Sequence, residues 1–184
     1  MKFAETELIE TERLFLRGWR ESDLEPFRAI NSDPEVMEHF PSLLSADESD
    51  AFVERIQKHF VRHEFGLWAV EVKGGAPFIG YVGLLVPRFV AHFTPCVEIG
   101  WRLAADHWNK GYATEAAFAV TDHAFNQLGL SELVSMTVVQ NTASRRVMEK
   151  IGMTHNEEDD FDHPMLPDGH ELKRHVLYRI TKSD

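Results

Sequence analysis

The stretch Cys96–Ala117 runs CVEIGWRLAADHWNKGYATEAA: a strand, a short turn, a glycine and the opening of an alanine-rich helix. Within it, Val97, Ile99, Trp101 and Leu103 alternate with Glu98, Gly100 and Arg102. Successive strand residues point to opposite faces, so Glu98 is expected to point away from the apolar side. After Gly111, the residues Ala113, Ala116, Ala117, Val120, Ala124 and Leu128 recur at helical spacing, and Gly129 closes the run. A glycine at a helix start lets a ligand approach the backbone. The first N–H groups of a helix have no partner within it, so this junction suits a phosphate. Helices in α/β proteins also open this way without a ligand, and the pattern alone leaves both readings standing.

Outward from this segment, Leu133–Val139 reads as the next strand. Asn141 caps a helix whose Ala143, Val147 and Ile151 line one side, and Gly152 stops it. Arg145 and Arg146 stand in that helix's first turns, against its dipole. Either an anionic ligand offsets the cost or the two side chains simply face water. Towards the N-terminus, Arg13–Trp19 alternates as a strand, and Ser22 is placed to cap a helix through Leu24, Phe27 and Ile30. Asp33-Pro34 ends that helix, and a second runs from Asp47 to His63 with Phe52, Ile56 and Phe60 on one face. Leu67–Val72 and Phe78–Leu85 should pair antiparallel across Lys73–Pro77. His175–Ile180 is a final strand, and the acidic segment 157–169 is a long loop or a strand pair with a wide connection.

The 184 residues fit one domain spanning 1–184, and 43% hydrophobic content is ample for a core. Lys plus Arg number 19 against 30 Asp plus Glu, so the net charge of −11 disfavours general nucleic-acid binding. A single cysteine, Cys96, makes no internal disulfide, and the N-terminus lacks the apolar core of a signal peptide. No apolar run approaches the ~20 residues that span a bilayer. A cytoplasmic protein, neither secreted nor membrane-inserted, is the expectation.

Together the two glycine-and-helix stretches resemble the GNAT superfamily of acyl-CoA-dependent N-acetyltransferases. The nearest likeness is to the branch holding the Rim-type ribosomal-protein N-terminal acetyltransferases. The residues that carry it are Glu12–Arg17, Phe78–Gly83, Val97–Trp101, Trp108–Ala116, Asn141–Ser144 and Met148–Met153. The resemblance implies an α+β fold: a mixed, mostly antiparallel sheet flanked by helices, with the family's fourth and fifth strands splayed around acetyl-CoA. Those strands are Cys96–Leu103 and Leu133–Val139 here. It further implies that backbone N–H groups from Lys110, Gly111, Tyr112, Ala113 and Thr114 hold the pyrophosphate. Asn141 and Ser144 would meet the cofactor arm near its thiol, and Arg145 or Arg146 a phosphate. The chain departs from the wider family twice. Trp108 stands where a Gln or Arg usually opens the loop, as in the Rim-type branch. Met148 replaces the tyrosine that often protonates the leaving thiolate, and methionine has no proton to give. Ser144 or a water then takes that role.

Acetyl transfer needs a neutral nitrogen, whereas α-amines titrate at ~7.7–8.0 and lysines at ~10.4, so a base is required. Glu98, in the strand beside the expected thioester, is the candidate base or amine-orienting group. Its structural alternative is a carboxylate paired with Arg102. A backbone N–H near Ile99 or Trp101 would polarise the thioester oxygen, and no covalent intermediate is required. Ten histidines form no HExxH, Cys96 lacks a nucleophile signature, and no GxxxxGK[ST] loop occurs, so no metal is assigned. The expected activity is N-acetyltransfer from acetyl-CoA to a primary amine, which is either a protein N-terminal α-amine or a small amine such as an amino acid, polyamine or aminoglycoside. A non-catalytic acyl-CoA sensor is the reading from another class. The protein is expected as a monomer or homodimer.

Overall fold

The computed structural model describes residues 2–182. The chain runs β1 (Ile9–Glu10), β2 (Leu14–Arg17), α1 (Leu24–Ser32), α2 (Ala46–His63), β3 (Leu67–Val72), β4 (Gly80–Leu85), β5 (Glu98–Leu103) and α3 (Tyr112–Asn126). It continues with β6 (Glu132–Val138), α4 (Thr142–Lys150), β7 (Thr154–His155), β8 (Phe161–Asp162) and β9 (Arg174–Thr181). The strands form one nine-stranded sheet in the order β1-β2-β3-β4-β5-β6-β9-β7, with β8 also on β9. Every pair is antiparallel except β5–β6, so the expected mixed, mostly antiparallel α+β fold is what the chain adopts.

Several boundaries differ from expectation for local reasons. Ser22 does not cap α1. It lies inside a short 3-10 turn, and Asp23 takes the N-cap position without a side-chain cap bond to α1, its carboxylate accepting the Arg20 N–H at 2.8 Å instead. Asp23 also receives two bonds from the buried Arg17 guanidinium, at 2.8 and 3.0 Å. That guanidinium further pairs with Glu71 at 2.6 Å, so its charge is fully compensated. Ser45 and Glu48 form a reciprocal capping box, which starts α2 at Ala46. In α4, Ala143 is exposed, and the buried positions are Met148 and Ile151. The acidic segment resolves into the strand-pair alternative, with β8 on β9 and a wide connection between them. Strand β1 was not anticipated, because two residues carry no periodicity.

The two faces of the sheet are covered differently. Register puts Trp68, Val82 and Trp101 on one face, and the Trp68 ring meets His123 of α3 edge-on at 5.6 Å. On the opposite face Tyr81 pairs with Arg102, and Phe27 of α1 and Phe52 of α2 pack against the Tyr81 ring. Further along that same face Glu98 is opposite Val134. Val134 belongs to a second cluster with Phe93, Phe161 and Leu177, against which Phe89, Cys96 and Met136 pack. Glu98 therefore sits where the α1/α2 cover gives way to the aromatic loops. Among the described residues no helix is long and apolar enough to cross a membrane.

Candidate active site

Strands β5 and β6 touch at one point. Their only paired residues are Glu98 and Val134, joined by Val134 N–H donating to Val97 O at 3.0 Å. Beyond that bridge the strands part. The N–H and C=O of one strand residue point to the same side, and this alternates along the chain. Since Val97 O points to β6, the N–H groups of Ile99 and Trp101 point to the same side: that of Ile99 completes the parallel bridge to Val134, and that of Trp101 faces the opening. By the same parity Met136 faces it from β6.

At the far end of β5, the chain turns through Ala104–Lys110 into α3. Trp108, the departure from the wider family, donates its indole N–H to Leu103 O at 2.8 Å and ties the turn to the strand end. Gly111 is the N-cap of α3 at φ +82°, a left-handed conformation that side chains rarely adopt. The first intrahelical bond is Glu115 N–H to Gly111 O at 3.0 Å, which leaves the N–H groups of Gly111, Tyr112, Ala113 and Thr114 ahead of the ladder. A Cβ on Gly111 would come within 3.3 Å of the Arg13 guanidinium. Unpaired donors, a helix N-terminus and a backbone bare of side chain fit a pyrophosphate.

A clamp absent from the sequence reading holds this junction. Glu115, in the first turn of α3, accepts from Thr11 Oγ1 at 2.6 Å, from Arg13 N–H at 2.9 Å and from Arg13 Nε at 2.6 Å. Arg13 also donates to Lys110 O at 3.0 Å and lies over the Tyr112 ring. Burial works to raise the Glu115 carboxyl, but the Thr11 and Arg13 bonds outweigh it and hold the group below the usual carboxylate range. A depressed carboxyl adds stability above its unfolded pKa and loses it as pH falls through the lower folded value. Because Arg13 is 45% exposed, Glu115→Gln is expected to cost only about 1 kcal/mol at pH 7, a fall of ~2–4 °C in melting temperature. Thermal melts should show the gap closing in acid. A gap that widens in acid would contradict the clamp.

On the β6 side, Asn141 Oδ1 accepts the Ser144 N–H at 3.1 Å and Nδ2 donates to Thr137 Oγ1 at 3.1 Å, so the expected N-cap forms and orients the half-buried Ser144. Arg145 and Arg146 part company. Arg145 donates to Tyr178 Oη and Val139 O, both at 3.2 Å, whereas Arg146 is exposed. Met148 is 1% exposed and packs in the core.

Glu98 is half-buried, and burial pushes its carboxyl up to about 7. The structural alternative, an ion pair with Arg102, does not form; Arg102 donates to Asn31 instead. No described side chain bonds Glu98. Its Oε1 leans over Gly100, where an added Cβ would meet nothing else within 4 Å. Cys96 lies nearby, and burial, then the Glu98 charge, push its thiol up to about 11, so it stays protonated at neutral pH.

The family model for the GNAT acetyltransferase domain matches residues 13–154. The chain belongs to the GNAT family. A solved GNAT acetyltransferase from Bacillus anthracis is 30% identical, with a TM-score of 0.78 over 95% of this chain and 98% of that one. Among sequence relatives, the uncharacterized protein YkkB of Bacillus subtilis is 34% identical over 82% of this chain and 86% of its own length. The FsC-acetyl coenzyme A-N(2)-transacetylase of Aspergillus fumigatus is 30% identical over 96% of this chain and 77% of its own length. Solved ribosomal-protein acetyltransferases are also structural neighbours at 15–18% identity, a likeness that shows the fold alone. The chain is thus an acetyltransferase, and acetyl-CoA is the donor that GNAT enzymes use. Arg13, Glu115 and Met136 were missed from sequence because their roles depend on contacts across the sheet. Only the charge of Glu115 in a helix's first turn offered a signal.

Proposed function

We propose that this GNAT enzyme transfers an acetyl group from acetyl-CoA directly to a primary amine. The observation that supports it is the Glu98 carboxylate, bonded by no described side chain, at the β5–β6 bridge on the strand whose Trp101 N–H faces the opening. Bound acetyl-CoA supplies a thioester carbonyl. The Trp101 N–H polarises its oxygen, and the Lys110–Thr114 backbone anchors the pyrophosphate. The amine arrives protonated and Glu98 removes the proton, directly or through water. The nitrogen lone pair then forms the C–N bond as the C–S bond breaks. The thiolate takes a proton from Ser144 or water and leaves as the thiol, and the second proton, shed by the new amide nitrogen, restores that donor. Asn141 keeps Ser144 in place, and Arg146 is better placed than the engaged Arg145 for a phosphate. With its thiol held neutral, Cys96 takes no part.

A small amine is the acceptor we favour, in line with the Aspergillus relative, an FsC-acetyl coenzyme A-N(2)-transacetylase by name. A protein N-terminal α-amine is the second reading, favoured by the Rim-type motifs between Glu12 and Met153. Calorimetry with acetyl-CoA, followed by thiol release against small amines, peptides and ribosomal proteins, tests both. Binding with release on one class identifies the acceptor. Binding without release on any class would favour the sensor, and absence of binding would remove the Gly111 and Asn141 assignments.

A further inference from the structure

The molecule buries two arginines on or beside the sheet, and only one has a counter-ion. Arg17, 5% exposed, has Asp23 and Glu71. Arg102 is 8% exposed and forms no ion pair with any described residue. Its one hydrogen bond runs from Nη1 to Asn31 Oδ1, and Asn31 is itself held by donating to Ser49 Oγ at 2.8 Å. Nε is buried with no partner, and Nη2 gives no hydrogen bond to a described residue. The rings of Phe40, Phe52 and Tyr81 surround the guanidinium carbon at 4.0, 5.7 and 5.7 Å, which stabilises a cation but leaves the Nε and Nη2 N–H groups unused. Burying a charge without a hydrogen-bonded partner is costly, and a guanidinium edge matches the two oxygens of a carboxylate.

The position of this charge gives it meaning. Arg102 stands on the same face of β5 as Glu98, with Gly100 between them and open space above that glycine. Four residues along a strand span ~13 Å between Cα atoms, and Glu98 leaning over Gly100 shortens the gap from its side. Tyr81, opposite Arg102, feels both: burial first raises its phenol, the Arg102 charge opposes this and the Glu98 charge adds to it.

We infer that Arg102 is a specificity residue that receives a carboxylate of the acceptor, so that the acceptor is a small primary amine bearing a carboxylate several bonds from its nitrogen, such as an ω-amino acid or dipeptide. This rests on the acetyltransfer reading and sharpens its acceptor class. One uncompensated positive charge matches a monoanion. The local cation also offsets the repulsion an anion meets on a chain of net charge −11.

The test compares matched acceptors, γ-aminobutyrate, β-alanine and glycylglycine, each against its carboxamide. The wild type should favour the carboxylates by at least ~10-fold in kcat/KM, mainly through KM. Arg102→Gln should bring that ratio towards one while calorimetric acetyl-CoA affinity stays within about twofold, and Arg102→Lys should restore part of it. A purely structural arginine would slow both members of each pair alike. Equal wild-type rates, or a preference that survives in Arg102→Gln, would overturn the assignment. A readout on the wild type alone covers a variant that fails to fold and a panel that shows no turnover: N-acetyl-γ-aminobutyrate should raise the melting temperature and its carboxamide should not, and equal shifts would overturn the assignment. Loss of acetyl-CoA binding by the wild type would instead reject the acetyltransfer reading, and the melting comparison would still decide Arg102.

Discussion

Glu98→Gln lowers kcat/KM by about 10²–10⁴-fold at neutral pH and leaves acetyl-CoA affinity unchanged, because glutamine keeps the shape of the side chain but accepts no proton. The wild-type pH profile carries a second signature. A base must be ionised to act, and with its carboxyl raised to about 7, Glu98 gives kcat/KM an acidic limb that rises through that value. In the glutamine variant this limb should vanish. Stability moves the other way. Between the ordinary carboxylate range and about 7 the folded state holds a proton that the unfolded state has lost, so Glu98 costs stability as pH rises through that window. Glu98→Gln should therefore melt higher than the wild type at pH 8 and equally at pH 4. An undiminished rate in the variant, or an unmoved acidic limb, would remove Glu98 as the base.

Gly111→Val is the second large effect. At φ +82° a side chain costs ~1–2 kcal/mol in backbone strain, more for a β-branched residue, and the new atoms meet the Arg13 guanidinium while covering the donors of Gly111–Thr114. Acetyl-CoA affinity is expected to fall on the order of 10²-fold, since each 1.4 kcal/mol is tenfold, with Gly111→Ala intermediate. Gly129 provides the control. It also has a positive φ, of +67°, but lies past the end of α3, and nothing stands within 4 Å of an added Cβ. Gly129→Ala should cost similar stability and leave affinity alone. Calorimetry on both variants separates backbone strain from ligand obstruction, and unchanged binding in Gly111→Val would refute the loop assignment.

The elements that periodicity could reach were legible before the fold was known: the paired strands β3 and β4, the helices α2 and α3, the Asn141 cap and the glycine before α3. Each is set by neighbours within a few residues, and side-chain period, capping chemistry and the freedom of glycine act at that range. The motif Val97–Trp101 with Trp108–Ala116 named the family for the same reason, as a local arrangement of strand, turn and helix start. Where the reading slipped, a distant partner had intervened. Ser22 falls inside a 3-10 turn whose Asp23 carboxylate is bound by Arg17 in the core, so it caps nothing. A distant partner also tells apart the two arginines of α4, left as alternatives by the sequence: Arg145 donates to Tyr178, thirty-three residues away, while Arg146 is exposed.

Whether Glu98 was a paired carboxylate or a free one lay beyond the sequence, since the answer depended on Asn31 of α1 reaching Arg102 first. The parting of β5 and β6, the turning of the Trp101 N–H into it, and the burial that raises Glu98 are likewise properties of assembled strands. The sequence alone determined the longer helices and strands and the family, because those follow from short-range sterics and side-chain type. Which charges end up buried, paired or free was decided only by the tertiary structure, because desolvation and Coulomb energy depend on groups that folding brings together from far along the chain.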